Sequence, residues 1–114
     1  MIQEADILIN DAVFFSSTKG VGNYLGDLIS HELGHFVGLG HSQVHGSSMF
    51  FSIFNGQNTL HSDDISGIKH IYSTTTELTG TVAGGSGVGI FGAHVQAISS
   101  TDGKVKASTV SEVD

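Results

Sequence analysis

The sequence predicts an α+β chain, and three observations carry that prediction. Apolar residues recur at helical spacing in two windows, 24–38 and 60–73. A short alternating run, 4–11, precedes the first window. Beyond residue 78 the texture changes to short strand-like runs broken by glycine.

Each element has a local cause. "EADILIND" alternates around Ile7 and Ile9 and is bounded by Asn10 and Asp11, so it predicts a strand. "SSTKGVGN" follows as a loop. Asn23 is a good N-cap for the helix in "YLGDLISHELGHFVG". Leu25, Ile29, Leu33 and Phe36 form one stripe, predicted to be buried, while Leu28, His31 and His35 line another face. Gly26 costs this helix about 1 kcal/mol relative to Ala, which leaves its stability to tertiary packing.

The second helix lies in "LHSDDISGIKHIYS", with Ser62 as the predicted N-cap and Ile65, Ile68 and Tyr72 as its apolar face. Asp63 and Asp64 sit where the positive end of the helix dipole favours them; they could also brace the turn at Met49 by hydrogen bonds, but capping and dipole effects suffice to explain both. "LTGTVAGG", "GAHVQAISS" and "KVKASTVS" then predict strands, with Asp102 and Gly103 turning the last hairpin. "GGSGVG" reads as a flexible loop. The organisation is therefore a first region at 1–73, a linker at 74–77 and a second region at 78–114.

Composition narrows the function. Four Lys and Arg against 11 Asp and Glu give a net charge of −7, which argues against nucleic acid and anionic membrane surfaces as partners. No apolar run approaches the ~18 residues of a membrane span. "MIQEADILIN" lacks the basic segment and apolar core of a signal peptide. Cysteine is absent, so any metal must be held by His or carboxylate.

The stretch "HELGHFVGLGH" holds three of the chain's seven histidines. His31 and His35 are four apart and stack on one helix face, where both imidazoles can reach one cation. His41 is six residues further, out of phase with a continuing helix. It reaches the same ion only if the helix stops and the chain turns back. Gly38, three residues past His35, suits the left-handed residue that makes such a stop, and Gly40 adds freedom before the third ligand.

Three neutral histidines leave one of zinc's four positions open to water, the arrangement of a catalytic site. Glu32 projects beside the ion and can serve as general base for a zinc-activated water. The competing readings are a closed structural zinc site and helix histidines with no chemistry. The five fixed positions arise by chance roughly once in ten thousand chains of this composition, which favours the catalytic one.

The stretch resembles the H-E-x-x-H-x-x-G-x-x-H signature of metzincin zinc endopeptidases. Ser42, next after the third histidine, resembles the matrixin branch, and "HGSSMFF" places Met49 where that branch has the methionine of a tight turn under the metal. "TLHSDDISGIKHIYS" is similar to the helix that closes matrixin catalytic domains, and "EADILINDAVFFS" to the strand and loop before the active-site helix. The resemblance covers residues 2–73, with its motifs in the family's order. It implies His31, His35 and His41 as zinc ligands, Glu32 as general base, and Met49 as an apolar base to the site.

The implied fold is the C-terminal half of a metzincin-like peptidase: strand, active-site helix, Met-turn, closing helix. The implied partner is a protein or peptide substrate, and the implied location is outside the cell. A calcium site is not legible. Phe51 departs from the usual matrixin proline near the primed-side pocket, and it lacks the hydroxyl that astacin- and serralysin-like enzymes bring near zinc.

The last region, 78–114, resembles the opening strands of a carboxypeptidase-regulatory-like β-sandwich, a structural or adhesive appendage. With one strand before the active-site helix and about three in the sandwich, the chain is expected to be a fragment cut at both ends. The alternative function is a non-catalytic zinc-binding or adhesion module. His45, His61, His70 and His94 take ordinary roles in loops, near helix ends and in a strand.

Overall fold

A computed structural model describes residues 6–73 and 79–112. The architecture is α+β: helix α1 at Leu25–Phe36, helix α2 at Ser62–Tyr72, and an antiparallel pair β1, His94–Ile98, and β2, Val105–Val110. The linker expected at 74–77 lies outside the described residues.

Two expectations about helix starts are corrected. α1 is capped at Tyr24, not Asn23, and no side chain does the capping. The loop ahead of it folds back instead, so that the Ser16 carbonyl accepts the Leu25 N–H at 2.9 Å. That satisfies one of the first-turn donors a side chain would otherwise take. Asn23 spends its side-chain amide on the Phe14 carbonyl at 3.3 Å. α2 is capped at His61, not Ser62. His61 Nδ1 accepts the Asp63 N–H at 3.1 Å and Asp64 accepts the His61 N–H at 2.7 Å, a reciprocal capping box.

The strand expected at 4–11 is not formed over the described residues 6–10, and Leu8 there is 94% exposed. A strand needs a partner for its backbone groups, and no strand pairs with this run among the described residues. The stripe expected to be buried on α1 is likewise corrected. Leu33 and Phe36 are exposed, and the buried positions of α1 are Asp27, His31 and Gly34. On α2, Ile65 and Tyr72 are exposed and Ile68 half-buried.

What is buried is mostly polar. Among the described residues Val44 and Met49 are the buried hydrophobic ones, set among Asp27, Ser42, Ser47, Ser48, Gln57, Asp63 and Asp64. An interior of this kind is stable only when its polar groups find one another. The bonds that join them determine where the histidines sit.

Past residue 78, "LTGTVAGG" forms no strand over its described part; an isolated bridge joins Ala83 to Gly89. The glycine-rich run between them is a tight turn, closed by Gly87 N–H to Gly84 O at 2.8 Å. β1 and β2 pair from His94 opposite Val110 to Ile98 opposite Val105, with an irregularity at Ala97/Ile98. Asp102 organises the hairpin turn, accepting from the Lys104 N–H at 3.1 Å and the Lys106 ammonium at 2.9 Å. Those bonds, Lys106 first, hold its carboxyl well below the usual carboxylate range. β2 lies against α2, where Ser62 and Ser66 hydroxyls donate to the carbonyls of Val105 and Lys106, both at 2.6 Å.

Candidate metal centre

α1 carries His31 and His35 one turn apart, and its end delivers His41. The helix stops because Gly38 takes a φ of +96°, a left-handed conformation that costs glycine no Cβ clash. Gly38 N–H then bonds to His35 O and Leu39 N–H to Gly34 O, both at 2.9 Å. These are the two reversed bonds of a Schellman motif, and they turn the chain back along the helix.

The three imidazoles meet there. Ring centroids are 4.8 Å apart for His31–His35 and His35–His41, and 5.2 Å for His31–His41. One ring nitrogen from each lies within 4.8 Å of the others, and His35 Nε2 is 3.2 Å from His41 Nε2. Among the described residues this is the group of His, Asp and Glu able to hold a metal ion.

The other nitrogens decide the protonation pattern. His31 Nδ1 lies 2.8 Å from the Ser48 carbonyl and His35 Nδ1 lies 2.8 Å from the Leu39 carbonyl. A carbonyl oxygen only accepts, so both Nδ1 atoms carry the proton and donate it. In the neutral ring each Nε2 then keeps a lone pair, the state of a metal ligand oriented by a backbone partner. The residue set therefore fits a cation that prefers nitrogen donors. Glu32 follows His31 on α1 and is half-buried.

Behind His31 sits the segment that ends at Met49. Met49 is 2% exposed, and it passes α1 at Gly34, where an added Cβ would stand 2.0 Å from the Met49 sulfur. Only glycine permits that approach. His41 is placed from its other side, since Ser42 N–H donates to the Met49 carbonyl at 2.6 Å and the Ser42 hydroxyl to Asp63 at 2.6 Å. Asp63 also lines a cavity of about 220 Å³ beside His41, and its Oδ1 is buried with no hydrogen-bond partner among the described residues.

Dipole and capping effects do not exhaust the roles of Asp63 and Asp64: Asp64 caps α2 and also forms the brace that stood as the alternative. Asp64, 2% exposed, accepts from the Ser47 hydroxyl, from Ser48 N–H at 2.9 Å and from Met49 N–H at 3.2 Å. It braces the methionine turn from α2. Asp27, Gly34 and Gln57, by contrast, are not singled out by the sequence, because their partners lie far along the chain.

His45 stacks on Phe54 with centroids 4.5 Å apart, His61 caps α2, and His94 opens β1. None of these joins the three-histidine group.

A family model for matrixin peptidases, Peptidase_M10, matches residues 3–73. This chain belongs to the matrixin family. Among curated relatives, the matrixin region is similar to metalloendoproteinase 2-MMP of Arabidopsis thaliana, 38% identical over 72 residues, which is 61% of this chain and 18% of that protein. It is also similar to metalloendoproteinase 5-MMP of the same plant, 50% identical over 44 residues, 37% of this chain and 12% of the relative. This matrixin thus spans under a fifth of the length of either relative. No solved structure matches it significantly. No helix among the described residues is long and apolar enough to cross a membrane.

Proposed function

We propose that the chain carries the metal-holding part of a secreted zinc-dependent endopeptidase. The observation that carries this reading is the convergence of the histidines: His31 and His35 each set Nδ1 against a backbone carbonyl, and one ring nitrogen of each lies within 4.8 Å of one of His41. A donor set of three imidazoles suits zinc, and it leaves one tetrahedral position for water or substrate.

Bound zinc supplies an acidified water and polarises a peptide carbonyl. Glu32, next to His31, would hold and pass on a proton at its carboxylate, as general base and then acid. Met49 occupies the turn beneath the imidazoles as a packing residue, with its sulfur against Gly34 rather than on the metal. An extended protein or peptide substrate would pair with a sheet edge, as the family resemblance implies.

The test is a zinc titration by chelator competition, together with cleavage of an unstructured protein by the wild-type chain and Glu32→Gln. The reading expects zinc to bind both proteins and cleavage to be confined to the wild type. Undiminished cleavage by Glu32→Gln removes the base assignment, and absence of zinc binding removes the site.

A second reading rests on the run 6–10, which forms no strand, and on the antiparallel pair β1–β2 that follows the matrixin region. In it, residues 78–114 open a carboxypeptidase-regulatory-like β-sandwich, and the chain is a zinc-binding or adhesion module without turnover. Tight zinc binding with no cleavage by the wild type selects it.

A further inference from the structure

We propose that Asp27 is a positioning residue of the metal centre, orienting His31 through residues 47–58. The proposal rests on the metal-site reading above. Asp27 is 1% exposed, and its carboxylate accepts Gly56 N–H at 3.2 Å, Asn58 N–H at 2.9 Å and the Asn58 side-chain amide. Burying a carboxylate is costly, and an apolar residue would serve helix packing better. What an apolar residue cannot do is accept three N–H groups from one distant segment.

That segment leads back to the metal centre. Gln57, fully buried, donates to the Ser47 carbonyl at 3.3 Å and the Ser52 carbonyl at 3.0 Å, and accepts Phe54 N–H at 2.6 Å. The adjacent Ser48 carbonyl accepts the His31 Nδ1–H at 2.8 Å. The bonds thus leave α1 at Asp27, run through 56–58 and 47–48, and return to α1 at His31. Positions 27 and 31 are one turn apart on a single helix face.

Asp64 does not duplicate this link. It grips the amides of Ser48 and Met49 and the Ser47 hydroxyl, whereas the carbonyl side of the segment is held by Gln57 and His31. Asp27 therefore fixes the far end of the lever whose near end sets the rotation of the His31 ring and keeps its proton on Nδ1. Outer partners of this kind matter to a metal because they hold the donor atom in place.

The experiment compares the whole wild-type chain with Asp27→Asn, Asp27→Ala and Asn58→Ala. It reads zinc affinity by chelator competition, the visible absorption of the cobalt-loaded protein, and amide exchange at Gly56 and Asn58. Asp27→Ala is expected to weaken zinc binding about tenfold, to alter the cobalt bands and to expose both amides. Asn keeps one acceptor oxygen and recovers part of each change, and Asn58→Ala falls between wild type and Asp27→Ala. Should Asp27→Ala not fold, the other two variants carry the comparison.

Exposed amides with zinc affinity and cobalt bands unchanged would overturn the proposal, leaving Asp27 as a loop anchor. A wild-type chain that binds neither zinc nor cobalt would overturn the metal reading and this proposal with it.

Discussion

The Asp64 carboxylate accepts the Met49 amide N–H at 3.2 Å, so α2 holds the turn on which His31 leans. The same carboxylate takes Ser48 N–H, the Ser47 hydroxyl and, at the start of its own helix, His61 N–H. One buried side chain thus caps α2 and braces the metal centre together.

Truncating Asp64 leaves several buried donors without acceptors, and each unsatisfied group costs roughly 1–3 kcal/mol. Asp64→Ala is therefore expected to destabilise the chain by about 3 kcal/mol or more. Its sequence neighbour provides the contrast. Asp63 accepts one side-chain bond, from Ser42, besides the dipole benefit that both residues share. Asp63→Asn retains an acceptor oxygen there and should cost only about 1 kcal/mol. Denaturant midpoints of the two variants measure the difference, and equal losses would mean that position on the helix matters more than the brace.

Acidification should release the metal, with a sign fixed by the ligands. An imidazolium has no lone pair to give, so each bound ion requires three neutral histidines. Protons compete with the ion for these three lone pairs, so affinity falls as the pH is lowered. Once all three are cationic, the fall reaches up to about a thousandfold per pH unit, one factor of ten per proton. Calorimetric titrations in buffers of different ionisation enthalpy count the protons released. A count near one at low pH would contradict three-histidine ligation.

How much of this was legible in the sequence follows from the range of each cause. The stop at Gly38 is local, because a left-handed residue is needed wherever a helix reverses and glycine supplies it. Helix positions were also readable from apolar spacing, to within about two residues at the ends. The caps were not, since Tyr24 is held by a loop closing on Ser16 and His61 by a side chain three residues on. The brace from Asp64 could be named from the sequence only as an alternative to dipole and capping effects, and the part built on Asp27 could not be read at all. Asp27 finds its partners 29 and 31 residues away and Asp64 finds its own 15 to 17 away. No local propensity encodes such pairings. The apolar stripe of α1 misled in the opposite sense. Periodicity states that a face is suited to burial, and on Leu33 and Phe36 no described element covers it.

Gly34 and Met49 offer a test in which the sign of one substitution depends on the other residue. Alanine is the better helix former by about 1 kcal/mol, so Gly34→Ala on an open helix would stabilise. Here its Cβ would lie 2.0 Å from the Met49 sulfur and 3.0 Å from the terminal methyl. Met49 is 2% exposed, so any retreat displaces a buried side chain. Gly34→Ala alone is therefore expected to cost about 1–3 kcal/mol, the range of overpacked cores. In a Met49→Ala background the obstruction is gone, and the same change should be neutral or stabilising by up to about 1 kcal/mol. The double-mutant cycle would then show a coupling of about 2 kcal/mol or more between the two positions. Zinc affinity measured on the same four proteins adds a second reading. If the Met49 turn carries the Ser48 carbonyl that orients His31, Gly34→Ala should weaken binding only while the methionine is present. Additive stability effects would show that Met49 moves aside freely, and that the close approach on α1 is not what holds the turn.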